Sequence, residues 1–119
     1  MTHYIAGLYN IVATQGSALE RIILWKDPAN KPIKLGGYSA RLQIRTSVSS
    51  ETVVAEFTTD NGHIELGATD GSITIKATSQ ETAVIPADKY VYDLELISSS
   101  EYVYRLVQGN FAVKAQVTR

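Results

Sequence analysis

The stretch YVYDLEL, Tyr90 to Leu96, decides how the rest of the chain reads. Tyr90, Tyr92, Leu94 and Leu96 alternate with Val91, Asp93, Glu95 and Ile97, the period of two expected of a strand with one face buried. Asp93 and Glu95 then leave one face about 7 Å apart. Two carboxylates at that separation are compatible with glycoside hydrolysis, but such pairs normally come from different elements lining a cleft. Neighbours on one strand, facing Arg41 or Arg45 across a sheet, are more simply cross-strand pairs on a polar surface. The stretch reads as strand, and no catalytic residue is assigned.

Working outward, the same period recurs and the helical period is scarce. Tyr38, Ala40, Leu42 and Ile44 oppose Ser39, Arg41, Gln43 and Arg45; Ile73, Ile75 and Ala77 oppose Ser72, Thr74, Lys76 and Thr78. Val53, Ala55 and Phe57 form a third inward set, and Phe111, Val113, Ala115 and Val117 a fourth. Turn signals separate the runs: Asp27 to Pro32, Gly36-Gly37, Asn61-Gly62 and Asp70-Gly71. The predicted strands are 8–13, 19–26, 38–46, 52–58, 63–66, 72–78, 90–97 and 102–118, the last broken near Gly109. Hairpins are expected at 63–78 and through Ser98–Glu101, with one helical turn from Ser79 before Pro86. About eight short strands at this spacing describe an all-β sandwich or barrel. Residues 1–7 are expected to be a flexible N-terminal arm, and 8–119 a single domain.

Composition narrows the function classes. The 119 residues carry 11 Lys+Arg against 12 Asp+Glu and no cysteine. Near-neutral charge leaves no footprint for nucleic acid or anionic lipid. Thiolate chemistry and disulfides are excluded. The opening MTHYIAGLYNIVATQ lacks the pattern of a secretory signal, and no apolar run approaches the ~20 residues that span a bilayer. His3 and His63 match no zinc spacing, and neither a G-x-S-x-G elbow nor a P-loop occurs. No metal or cofactor is expected.

Two segments carry apolar residues on both faces. In RIILWKD, Ile23 and Trp25 lie on one parity and Ile22 and Leu24 on the other; in EYVYRLV, Tyr102, Val103, Tyr104 and Val107 do the same. Either both faces are buried in one compact domain or the surplus meets another chain. Ile22, Leu24, Tyr102 and Tyr104 are the candidate interface residues, and Arg41, Arg45, Asp93 and Glu95 the candidate charged rim.

Five motifs in order, GSALERIILWKD, PIKLGGYSARLQIR, NGHIELGATDGSITIKATSQETA, YVYDLELIS and YRLVQGNFAVKAQVTR, together resemble a family of small tailed-bacteriophage structural proteins. The resemblance covers about Tyr9 to Arg119. It implies an immunoglobulin-like antiparallel β-sandwich without catalytic activity, built into the virion at the tail, baseplate or fibre-attachment region. Assembly would take place in the host cytoplasm, as a homo-oligomer (a trimer or ring) with other phage structural proteins as partners. A capsid decoration protein is the alternative. A carbohydrate-binding module, with Tyr38, Tyr90, Tyr92, Tyr102 and Tyr104 as a platform, is the third reading.

Overall fold

The computed structural model describes residues 7–118. Nine strands and one short helix follow in order: β1 (Gly7–Leu8), β2 (Ile11–Thr14), β3 (Leu19–Leu24), β4 (Ser39–Arg45), β5 (Ala55–Thr58), β6 (Ile64–Leu66), β7 (Ser72–Ala77), α1 (Ser79–Ala83), β8 (Asp88–Ile97) and β9 (Val103–Lys114). One sheet runs β1-β9-β8-β4-β5, with β2 also on β9; the other runs β3-β7-β6. This is the immunoglobulin-like sandwich, with β3, β7 and β6 as strands B, E and D facing G, F, C and C′. All pairings are antiparallel except those of β1 and β2, which run parallel to β9. The chain is therefore a β-sandwich, and not a barrel.

The core lies between the sheets. Leu42, Ile44, Leu94, Leu96 and Phe111 enter it from the larger sheet, and Leu19, Ile64, Ile73 and Ile75 from the smaller. Asp70 Oδ1 accepts the Ser72 amide at 2.9 Å beside Gly71, whose φ of 71° suits glycine; this closes the β6–β7 turn. The helical turn is held by a capping box. Thr78 Oγ1 accepts the Glu81 amide at 3.2 Å, and Glu81 Oε1 accepts the Thr78 amide at 2.8 Å. These bonds favour the ionised Glu81 and hold its carboxyl below the ordinary range.

Past the helix, the Tyr90 hydroxyl donates to the Pro86 carbonyl at 2.6 Å. This is the tyrosine corner of immunoglobulin-like domains, at the start of strand F. Two residues on, where antibody domains place a cysteine, Tyr92 stacks edge-on against Phe111. Its hydroxyl donates to the carbonyl of Tyr9. Tyr92 pairs across the ladder with Gly109, and a Cβ on Gly109 would stand 2.5 Å from that carbonyl oxygen. The glycine thus makes room for the N-terminal strands to lie on β9. Asn10 Oδ1 takes the Asn110 amide at 3.0 Å, filling the gap between β1 and β2.

Several sequence expectations change. The first predicted strand is two, parted at Tyr9 and Asn10. No break occurs at Gly109, because β9 runs unbroken from Val103 to Lys114; the irregularity is a bulge opposite Leu94/Glu95. Leu94 pairs with Val107 and Glu95 with Arg105, so Leu106 is the extra residue. Val53 and Val117 are exposed, since β5 begins only at Ala55 and β9 ends before Ala115. His63, which matches no zinc spacing, is half-buried against Phe57, with Nδ1–H donating to the Lys76 carbonyl at 2.9 Å and Nε2 3.0 Å from Glu81. Of the expected N-terminal arm, residues 1–6 lie outside the described residues, and Gly7 is part of β1.

Burial raises the ionisation of both Tyr90 and Tyr92 above the ordinary tyrosine value of 10.0. Their neutral forms are favoured by the fold, so the stability they contribute is whole below that value and is lost as pH rises through the raised one. In urea unfolding between about pH 7 and 11, stability should fall at the alkaline end, and less steeply in Tyr92→Phe. Tyrosinate absorbance showing all seven tyrosines ionising together in the folded protein would contradict this.

Candidate functional site

The outer face of the larger sheet is a polar concavity. On β4 the outward residues are Arg41, Gln43 and Arg45; on β8 they are Val91, Asp93 and Glu95; on β9, Arg105, Gln108 and Asn110. Register places Arg41 beside Glu95 and Gln43 beside Asp93. Glu95 then neighbours Arg105, and Asp93 neighbours Gln108. An open groove of about 730 Å³ runs over these side chains, Arg41 excepted, with Leu8 and Val48 at its borders. Both border residues are strongly exposed, at 78% and 90%.

The groove's polar side chains are tied into ion pairs and hydrogen bonds. Arg105 Nε donates to Asp93 Oδ2 at 3.0 Å, and its Nη2 lies 3.8 Å from Glu95 Oε1. Arg45 donates to the Ser50 carbonyl at 2.6 Å and to Gln43 Oε1 at 2.8 Å. Gln43 passes the chain on to Glu56 at 2.6 Å. Asp93 and Glu95 do share a face, but Arg105 is the cation that serves both. Sequence reasoning offered Arg41 or Arg45 for this role, since only the β8–β9 register reveals Arg105. Arg41 keeps its place beside Glu95 in the ladder.

The proposed apolar contacts separate into two kinds. Ile22 and Leu24 are 58% and 56% exposed, on the outer face of β3, so ordinary burial on both faces does not account for them. Tyr102 is exposed at the β8–β9 turn, whereas Tyr104 turns inward and packs its ring 5.5 Å from Trp25. The bulge at Leu106 accounts for part of the second doubly apolar segment, while Tyr102 and Val103 stay exposed. It brings Tyr104, Leu106 and Val107 all onto the core side despite their mixed parity. Of the five tyrosines considered as a glycan platform, Tyr90 and Tyr92 are buried, while Tyr38 and Tyr104 flank Trp25 inside. They do not line one outer face.

Among the described residues, no three His, Asp or Glu side chains gather as a metal-binding group. No family model matches the chain, and no curated protein matches it. Among solved structures it is similar to CopC from Methylosinus trichosporium OB3b, at 13% identity and a TM-score of 0.48, over 96% of this chain and 90% of that one. It is also similar to extracellular domains 3-5 of Drosophila OTK, at 14% identity and a TM-score of 0.38, over 87% of this chain and 32% of that one.

The Arg105 ion pairs are exposed to solvent, so Coulomb attraction there is largely screened. Arg105→Ala should lower the unfolding free energy by less than about 1 kcal/mol, whereas Leu94→Ala on the inner face should cost about 2–5 kcal/mol. A loss above about 2 kcal/mol for Arg105→Ala would mean that the groove network carries the fold.

Proposed function

We propose that this chain is a non-enzymatic structural module that works by binding: an adaptor in the tail, baseplate or fibre-attachment region of a tailed-bacteriophage particle. The observation that supports an assembly role most directly is the exposure of Ile22 and Leu24, side by side on an edge strand. Apolar surface of that kind favours burial against another protein. In the groove, Asp93 and Glu95 are both engaged by Arg105, an arrangement suited to a charged interface rim that sets register. The phage setting is supported by the order of the five sequence motifs. Its partners in this reading are other phage structural proteins and further copies of the chain.

Gold-labelled antibody against the protein, applied to intact particles of the phage that encodes it, tests the reading. Label at the tail or fibre base is the expected outcome. Label spread over the head would replace the adaptor with a capsid decoration protein, and unlabelled particles would overturn the phage setting.

A further inference from the structure

The smaller sheet ends on β3. In constant-type immunoglobulin domains the neighbouring position on that side is taken by the first strand. Here β1 and β2 both pair with β9 instead. The Trp25 amide donates to the Gly71 carbonyl at 2.8 Å. Because an antiparallel ladder alternates, the odd-numbered residues of this strand bond toward β7. The backbone groups of Glu20, Ile22 and Leu24 are therefore directed to the outer edge. The same even-numbered residues place their side chains on the sheet's outer face. Lys26 follows them, exposed, just beyond the strand.

This edge has a self-complementary order: acid, aliphatic, aliphatic, base, at Glu20, Ile22, Leu24 and Lys26. Laid antiparallel on a second copy with the two-fold axis at Ile23, Glu20 faces Lys26 and Ile22 faces Leu24, twice over. These are the residues whose backbone groups point outward, so pleat and hydrogen bonds agree on one register. We propose that β3 pairs with β3 of a second copy in this register, joining the two smaller sheets across a two-fold axis. The contact is isologous and closes as a dimer, unlike the trimer or ring that the sequence suggested.

The four aliphatic side chains of the two copies form one cluster over the axis. Lys76, the nearer base on β7, already pairs with Glu65, which suits Glu20 to the Lys26 of the partner. Arg21 points inward and bonds the Val12 and Glu20 carbonyls, each at 3.0 Å. Its hold on Glu20 weakens the outermost ladder bond and leaves the central Ile22–Leu24 bonds untouched. The proposal deepens the assembly role and rests on it, but not on the phage setting.

The native chain has no cysteine, so introduced thiols report the register. Residues in a hydrogen-bonded pair stand about 5.5 Å apart at Cα, within the span of a disulfide. Mixing folded Ile22→Cys and Leu24→Cys chains under mild oxidation should give the mixed 22–24 dimer in several-fold excess over either homodimer. In sedimentation, Glu20→Lys should weaken the dimer about tenfold by setting like charges opposite, and adding Lys26→Glu should restore it. Equal yields of the three disulfides, or no rescue by the double swap, would overturn the register. Amide protection of Ile22 and Leu24 that is already complete in dilute monomer would overturn the pairing, because the edge would then be filled within one chain. These measurements use the isolated protein, so their failure is distinct from a failure to find label on particles.

Discussion

The fold hangs on the pleat of β8. A strand paired on both sides can send its side chains in only two directions, and β8 lies between β4 and β9. Tyr90, Tyr92, Leu94 and Leu96 go inward and are all buried. A slip of one residue would exchange them for Val91, Asp93, Glu95 and Ile97, placing two carboxylates in the core. That penalty fixes the register of both neighbours, and so the position of every outward residue of the groove. The two inward tyrosines then anchor distant segments, Tyr90 the α1–β8 corner and Tyr92 the N-terminal strands.

The bulge on β9 is the main departure from this regularity, and it has a consequence for the surface. Inserting Leu106 shifts parity, so that Arg105 remains outside beside Glu95 while Val107 turns inside beside Leu94. In a regular pleat Arg105 and Val107, two positions apart, would share a face, and one of them would stand on the wrong side. The single cation serving both Asp93 and Glu95 therefore depends on a backbone irregularity some distance from any turn.

Most of the sheet was legible because period two is a strong signal wherever one face is buried. The inward sets at Tyr38–Ile44, Ile73–Ala77 and Tyr90–Leu96, the Asp70-Gly71 hairpin and the turn at Ser79 all rest on local chemistry. What escaped depends on long-range pairing. A bulge shows in the sequence only as apolar residues of mixed parity, as at Leu106 and Val107 in EYVYRLV. Gly109 resembled a strand break because the carbonyl of Tyr9, a hundred positions earlier, was not in view. For the same reason Arg105 was missed as the partner of the acidic pair, and Arg41 and Arg45 were named in its place. Ile22 and Leu24 stand exposed, since no bulge relieves the parity of β3.

The proposed binding role places its partners on the faces that the pleats leave outside, with the packed core behind them. Hydrogen–deuterium exchange, compared between the isolated chain and the chain in the particle that the proposal places it in, tests this most directly. New protection should appear along β3 and over the outer residues of β4, β8 and β9, while the slow exchange of the core ladder between β4 and β8 stays as it was. Unchanged exchange at every outer position, or change centred on α1 and the buried ladder, would contradict it.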